Sequence, residues 1–178
     1  REVLASQGIP VYCTSRTGYF SATEIVTVLN YLKVCDNPLQ DIPLMGVLRS
    51  PIVGCTSQEL AELRIQYPDG LLYESVSAYA GENEIPEKEL DPDKLKSKLL
   101  NSNLRTDEKN SLNIKLKGFL SLLEKVRNMA AYTPVHELIL YVLKETGYGD
   151  YARALPGGEQ RFANLTMLVE KAMGYEKT

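Results

Sequence analysis

Apolar residues recur at helical spacing along most of this chain, and this periodicity restricts its fold more than any other feature. The clearest run consists of Leu112, Leu116, Phe119, Leu120, Leu123, Val126 and Ala130. Residues three or four positions apart lie on one face of an α-helix, so this run predicts a long helix with one buried side. Shorter runs of the same kind follow residues 21, 41, 56, 71, 133 and 158. The chain is therefore expected to be mostly α, with at most a vestigial strand at 9–12 near the N-terminus.

Several of these runs begin with residues that typically start a helix. Residues 21–24 (Ser-Ala-Thr-Glu) and 56–59 (Thr-Ser-Gln-Glu) both match a capping box, in which a hydroxyl and a carboxylate bind free amides of the first turn. Asp41 is expected to cap another helix, and Thr133 to cap one whose first residue is Pro134. The buried face of that last helix is predicted to contain Val135, Leu138, Ile139, Val142 and Leu143.

Composition limits the kind of protein this is. With 178 residues, 44% of them hydrophobic, the chain can form one domain or one domain plus a fragment. It begins at Arg1 rather than Met, so we expect a piece cut or processed from a longer protein. No apolar run approaches the length of a membrane span, and no membrane partner is expected.

The cysteines indicate the redox state of the protein. Cys13, Cys35 and Cys55 are odd in number and lack CxxC spacing, which indicates reduced thiols in a cytoplasmic protein.

Charge is unevenly distributed although the net value is only −3. That small net charge argues against binding to nucleic acid through bulk electrostatics. Residues 81–93 are acidic, include Pro86 and Pro92, and predict an exposed connection. Residues 94–127 are rich in lysine and arginine. This basic region is either a surface that contacts phosphates or an ordinary solvated helix face.

The sequence contains no recognisable catalytic motif. The pattern GxxxxGK[ST], which would cradle nucleotide phosphates, does not occur. His136-Glu137 resembles the start of the HExxH zinc motif, but position 140 is Leu, so the second ligand is missing. We therefore predict no catalytic residue and no metal site, and interpret His136 as a surface or cap residue.

Three short blocks near the N-terminus occur in a characteristic order. Residues 18–26 read GYFSATEIV, residues 31–38 read YLKVCDNP, and residues 48–54 read LRSPIVG. This succession resembles the start of the 2B subdomain of superfamily 1 DNA helicases. The stretches 40–44 (QDIPL) and 47–53 (VLRSPIV) are closer still to the AddA subunits of bacterial AddAB helicase–nucleases.

A second group of residues, nearer the C-terminus, resembles the same family. It consists of Glu145-Thr146-Gly147-Tyr148, Tyr151, and the stretch ALPGGEQRFANL at 154–165. The two groups follow in the order found in AddA, and this second group favours AddA over other helicases of the superfamily. The resemblance covers nearly the whole chain, and residues 81–110 carry no motif that we can place.

The resemblance implies both an architecture and a function. Residues 1–17 would be the edge of the 2A motor subdomain, and residues 18–178 the helical 2B subdomain. The parent protein would use ATP and Mg²⁺ to unwind broken duplex DNA and resect it for recombinational repair in the bacterial cytoplasm. Its partners would be duplex DNA, the remaining motor subdomains and an AddB-type subunit. The ATPase and nuclease motifs lie outside this stretch, so the fragment is expected to be inactive and to hold no cofactor. The alternative is a helical protein–protein interaction module.

The resemblance also points to a turn that would contact DNA. Relatives carry a helix-hairpin-helix motif with a Gly-hydrophobic-Gly turn, and this turn binds the phosphates of duplex DNA. Here Gly54 matches the first glycine, and Thr56 stands where the second would be. The following helix start has unpaired amides and partial positive charge, which suit a phosphate. The candidate contacts are Arg49, Ser50, Gly54, Thr56, Ser57 and Arg64. The alternative interpretation is that Thr56 is only a helix cap.

Two further segments have expected roles. Gly18, Tyr19, Phe20 and Glu24 match the segment by which this helicase family passes from 2A into 2B. The aromatic pair either contacts DNA or packs on the helix start as a staple.

Near the C-terminus, Tyr148, Tyr151 and Leu155 are expected to pack between the last two helices. Gly157 and Gly158 are expected to permit a tight approach to the final helix.

Overall fold

The computed structural model describes residues 18–81 and 106–176. Within these ranges the chain forms a 3-10 turn at Tyr19–Ser21 and eight α-helices, and it contains no strand. The helices are α1 (Thr23–Asp36), α2 (Asp41–Arg49), α3 (Ser57–Gln66), α4 (Leu72–Ala80), α5 (Thr106–Ala130), α6 (Val135–Thr146), α7 (Tyr148–Ala154) and α8 (Gly158–Glu176). The prediction of a mostly α fold is confirmed. The strand expected at 9–12, the 2A edge at 1–17, and the acidic connection apart from Gly81 lie outside the described residues.

Helix α1 lies between two hydrophobic cores. Its Tyr31 and Val34 join a larger core built with α2, α3, α4, α5 and α6. Its Ile25 and Val28 face the other way, into a smaller core built with α6, α7 and α8. The two faces of this one helix therefore join the larger core to the smaller one.

The long helix α5 buries the residues that its periodicity predicts. Leu112, Leu116, Phe119, Leu120, Leu123 and Val126 are all buried in the larger core. Ala130, the last residue of the helix, is exposed. Val135, the first residue of α6, is exposed as well. The expected burial of these two residues was wrong, because each lies at a helix end next to the exposed 131–134 connection.

Three of the predicted helix caps were wrong, because in each case the observed N-cap is the residue next to the predicted one. Helix α1 starts after Ala22 with no side-chain cap, and the Ser21 hydroxyl instead donates to the Gly18 carbonyl at 2.8 Å. Helix α2 has Gln40 at its N-cap, and the Asp41 carboxylate accepts a hydrogen bond from the backbone N of Leu72, the first residue of α4. Helix α6 starts after Pro134, with no side-chain cap from Thr133. In the first two cases the side chain is engaged in another interaction.

The connection from α7 to α8 is tight, as its glycines indicated. Gly157 has a φ of +72°, which suits glycine best. Gly158 is buried, and a Cβ built on it would lie 1.8 Å from the carbonyl oxygen of Arg153. Tyr148 is buried in the smaller core. Tyr151 is 45% exposed, so the expectation that it packs between the last helices was wrong.

The two described cysteines are free thiols in protected positions. Cys35 is half-buried and Cys55 is buried. Burial raises the pKa of Cys35 to about 12 and that of Cys55 to about 11. Both side chains therefore stay protonated and act as small apolar groups. Cys13 lies outside the described residues. Among the described helices, none is long and apolar enough to cross a membrane.

Candidate nucleic-acid interface

The turn that joins α2 to α3 is built around the Ser50 side chain. Ser50 is buried, and its hydroxyl donates to the Val47 carbonyl at 2.7 Å. The same hydroxyl accepts from the backbone N of Ile52 at 3.3 Å. The Ser50 carbonyl accepts the backbone N of Gly54 at 2.7 Å. Ser50 is therefore the internal scaffold of the turn and does not present its hydroxyl to a ligand.

Gly54 lets the chain reverse direction and enter α3. Its φ is +73°, in the left-handed region that costs non-glycine residues energy. The next residue, Cys55, is buried and donates its backbone N to the Leu48 carbonyl at 2.9 Å. Gly54 itself is exposed, and no atom lies within 4 Å of a Cβ built on it. The backbone at Gly54 is thus open to close approach from outside.

Thr56 and Glu59 form the capping box that the sequence predicts. The Thr56 hydroxyl accepts the backbone N of Glu59 at 3.2 Å, and Glu59 accepts the backbone N of Thr56 at 2.6 Å. The interpretation of Thr56 as a helix cap is therefore correct, whether or not the turn also contacts DNA. The backbone N groups of Ser57 and Gln58 donate to no acceptor within the described residues, and both residues are exposed. These two amides remain available at the positive end of α3.

Lys115 pairs with the Glu59 carboxylate, which lies in the first turn of α3. Its ammonium group contacts both Glu59 oxygens, at 2.8 and 3.0 Å. Burial raises the pKa of Glu59, but the hydrogen bonds from Lys115 and Thr56 outweigh it, and the pKa lies below its ordinary value. Sequence reasoning missed Lys115, because it lies on α5, 56 positions from Glu59. Its only signal was membership of the basic region 94–127.

The two arginines predicted to assist this turn lie in different places. Arg49 is exposed, and its guanidinium donates to the Ser57 hydroxyl. This bond links the last residue of α2 to the first residue of α3. Arg64 lies near the other end of α3, about 10 Å along the helix axis from Ser57. It donates to Asp41 at 3.2 Å and to the Gly70 carbonyl at 3.0 Å. The structure therefore brings Arg49, Gly54, Thr56 and Ser57 together and leaves Arg64 apart.

The residues expected at the subdomain start are held by α8. Gly18 has a φ of +108° and starts the 3-10 turn. The Tyr19 hydroxyl donates to the Asn164 carbonyl at 2.9 Å, and the Tyr19 and Phe20 rings meet edge-on at 5.0 Å. Burial and the charge of Glu24 raise the pKa of Tyr19 to about 12, so this hydroxyl stays a donor. Phe20 is 58% exposed and is the aromatic side chain here that faces solvent.

Glu24 is a buried ion-pair residue rather than a helix cap. It accepts hydrogen bonds from Arg161 at 2.9 Å and from the Asn164 amide at 2.7 Å. The first and second sequence groups that resemble AddA are thus joined directly in space. Sequence reasoning placed both groups in one family but did not predict this contact, because nothing local marks Arg161 or Asn164 as its partners.

Comparison with known proteins identifies the relatives of the chain. No family model matches it. An ATP-dependent helicase/nuclease subunit of the AddA type from Bacillus velezensis is 43% identical over 177 residues. The proteins of the same name from Lachnoclostridium phytofermentans and a Thermoanaerobacter species are 38% and 40% identical. Each match covers 99% of this chain but only 12–14% of the relative. Along nearly its whole length, the chain therefore corresponds to a segment of AddA, the family of ATP-dependent helicase/nuclease subunits that its sequence resembles.

Proposed function

We propose that this chain is the helical 2B subdomain of an ATP-dependent DNA helicase–nuclease and that it contacts duplex DNA without catalysing a reaction. The observation that supports this most directly is the match to AddA-type proteins over 99% of the chain. Because the chain spans about an eighth of those relatives, the activity belongs to the parent protein. That parent would unwind broken duplex ends and resect them for recombinational repair, together with the motor subdomains of its own chain and an AddB-type subunit.

ATP and Mg²⁺ would bind elsewhere in the parent. This chain lacks the P-loop pattern that would hold the phosphates. Among the described residues, no group of three His, Cys, Asp or Glu side chains is placed to hold a metal ion. We therefore propose binding and positioning roles for the residues of this chain.

The turn between α2 and α3 is the part of the chain best suited to a duplex phosphate. Within one exposed corner it offers the Ser57 hydroxyl, the Arg49 guanidinium, and the amides of Ser57 and Gln58, which have no acceptor in the described parts of the chain. The Glu59 carboxylate, which would repel a phosphate, is neutralised by Lys115. A charged guanidinium beside unpaired backbone amides is a common arrangement for phosphate oxygens. We propose that Arg49, Gly54, Thr56 and Ser57 contact the backbone of one DNA strand.

Arg64 and the residues of the subdomain start have supporting roles in this proposal. Arg64 stabilises the loop between α3 and α4 through Asp41 and Gly70. Tyr19 and Glu24 attach the beginning of α1 to α8. These contacts fix the orientation of the α2–α3 corner relative to the rest of the subdomain.

Charge substitution at the turn tests the proposal. Thr56→Glu in the parent enzyme should weaken duplex binding about tenfold, because it places like charges together, and leave ATP hydrolysis stimulated by single-stranded DNA largely unchanged. Ser57→Glu should have the same effect without removing the cap, because a carboxylate is tolerated in the first helical turn. The control is Thr166→Glu, which adds the same charge at an exposed position of α8.

The salt dependence of binding gives a second test. Arg49→Ala should lower the slope of log affinity against log salt by about 1. Unchanged duplex affinity and salt slope in all three turn variants would show that the turn has only a structural role.

The exposed apolar residues of α2 favour the second candidate, a protein–protein interaction module. Ile42 is 86% exposed and Leu39, just before the helix, is 48% exposed. Contiguous exposed apolar patches mark docking surfaces, and these two side chains, three positions apart, could contribute to one. A partner bound there would show little salt dependence, whereas phosphate contacts give a steep one. An Ile42→Ser variant that loses a partner protein but keeps duplex affinity would favour this alternative.

A further inference from the structure

A cavity of about 290 Å³ lies directly behind the turn, between α1, α2, α7 and the start of α8. Its walls include Arg49, Pro51, Tyr151, Leu155 and Arg161. Its volume is near the lower end of the range for small-molecule sites, which is roughly 300–1,000 Å³. A lone phosphate would leave most of this volume empty.

Three charged side chains of the described chain line this cavity: Arg49, Arg161 and Glu24. The Arg161 guanidinium is paired with the Glu24 carboxylate at 2.9 Å, so these two charges offset each other. Arg49 donates to the neutral Ser57 hydroxyl, and no carboxylate in the described parts of the chain forms an ion pair with it. Counted over residues 18–81 and 106–176, the cavity therefore carries one net positive charge beside the turn. An arginine in this state suits a phosphate, which its planar fork of donors can bind.

The aromatic wall of the cavity is Tyr151, whose ring packs against that of Tyr148. Tyr151 is 45% exposed, although it belongs to a short helix that packs in the smaller core through Tyr148 and Ala152. The two tyrosine rings are stacked, with centroids 6.2 Å apart and an interplanar angle of 19°. Tyr148 thus supports one side of the Tyr151 ring and leaves other parts of it exposed. Exposed aromatic rings beside basic groups bind bases of single strands by stacking.

We propose that this cavity binds one unpaired nucleotide of a DNA strand, with the base against Tyr151 and the phosphate against Arg49. Arg49 borders both the cavity and the turn, so the nucleotide would follow directly from the strand whose backbone the turn contacts. This inference rests on the proposed duplex contact and extends it to a junction between paired and unpaired DNA. The apolar side chains of Pro51 and Leu155 would cover the remaining faces of the base.

The test compares two DNA hairpins in binding to the 178-residue chain by fluorescence anisotropy. One hairpin is blunt, and the other carries a short unpaired thymidine tail. The wild-type chain should bind the tailed hairpin severalfold more tightly. Tyr151→Ala and Arg49→Gln should abolish this preference, while Tyr132→Ala, a change at a 92% exposed tyrosine, should preserve it. Circular dichroism of each variant confirms that it is folded.

The outcomes separate this inference from the duplex contact. If Ser57→Glu weakens binding to both hairpins but Tyr151→Ala leaves the tail preference intact, the nucleotide site is overturned and the duplex contact stands. If Tyr151→Ala removes the preference while Ser57→Glu changes neither affinity, the nucleotide site stands and the turn contact is overturned. Equal affinity of the wild-type chain for both hairpins overturns the nucleotide site directly.

Discussion

Glu24 and Arg161 lie 137 positions apart in the sequence, and Nη1 of Arg161 donates a hydrogen bond to Oε2 of Glu24 at 2.9 Å. The Glu24 side chain is only 5% exposed, whereas that of Arg161 is 34% exposed. The pair lies where the start of α1 meets the first turns of α8. It therefore joins the beginning of α1 to the beginning of α8 through a nearly buried carboxylate. Because Glu24 is shielded from water and Arg161 is not, the loss of the pair would cost more free energy at Glu24 than at Arg161.

Removal of Arg161 should destabilise the fold. In Arg161→Met, Glu24 keeps only the Asn164 amide as a partner. We expect a loss of about 1.5–3 kcal/mol in the free energy of unfolding, measured by urea denaturation. Arg153→Met is the control, since Arg153 is exposed and stacks on Phe162 at 3.7 Å. Its loss should be about 0.5–1 kcal/mol. Equal losses in the two variants would contradict a special role for the Glu24 pair.

Two glycine-to-alanine substitutions should have opposite effects. Gly158→Ala places a Cβ 1.8 Å from the Arg153 carbonyl oxygen, so the α7–α8 connection must shift. We expect a loss of about 1–3 kcal/mol or more. Gly118→Ala adds a methyl group to an exposed position within α5 where nothing lies within 4 Å. That change should stabilise the chain by about 0.5–1 kcal/mol. Thermal melting of both variants measures the difference, and a stabilised Gly158→Ala would refute the close approach.

Two tyrosine-to-phenylalanine substitutions separate a bonded hydroxyl from an unbonded one. The Tyr31 hydroxyl is buried and has no hydrogen-bond partner among residues 18–81 and 106–176. Its removal should leave stability unchanged or raise it by about 1 kcal/mol, because a desolvated polar group disappears. Tyr19→Phe loses the bond to the Asn164 carbonyl and should lower stability by about 0.5–1.5 kcal/mol. Chemical denaturation that ranks the two variants in the reverse order would count against this assignment.

The Glu59–Lys115 pair should make stability depend on acid pH. The pKa of Glu59 is lower in the folded chain than its ordinary value of 4.5. Its stabilising effect is therefore fully present above about pH 4.5 and is lost as the pH falls through the folded-state pKa. Lys115→Met should destabilise the chain at pH 7 and should raise the pKa of Glu59. The difference from wild type should shrink below pH 4.5, as urea denaturation at several pH values would show. A difference independent of pH would indicate that Lys115 acts through packing alone.

The parts of the fold that depend on neighbouring residues could be predicted from the sequence. The buried face of α5 follows from spacing alone, and the Thr56–Glu59 cap joins residues three positions apart. The caps assigned to Ser21 and Asp41 followed the same local rules and were wrong. The Glu24 and Asp41 side chains bind Arg161 and Leu72, which are distant in the sequence. A distant partner took the place of the local one for Glu24 and Asp41, whereas the Ser21 hydroxyl binds the nearby Gly18 carbonyl.

The residues of the candidate site show the same contrast between local and long-range effects. Gly54 and Thr56 were placed at the turn correctly because they lie within it, and Arg49 is its immediate neighbour. Arg64 was included on charge alone, and a salt bridge with Asp41 holds it elsewhere. Lys115 and Tyr151 were not predicted to lie near the turn, since their positions depend on where α5 and α7 lie relative to the α2–α3 corner.

Hydrogen bonds attach both ends of helix α8 to other helices of the described chain. Near its start, Arg161 and Asn164 hold Glu24 and Tyr19. At its last described residue, Glu176 accepts the backbone N of His136 at 3.1 Å and contacts the His136 Nδ1 at 2.5 Å. Nineteen residues give this helix a length of about 28 Å. A displacement of the chain at Gly18 would therefore be carried mechanically along α8 to the first turn of α6, far from where it began.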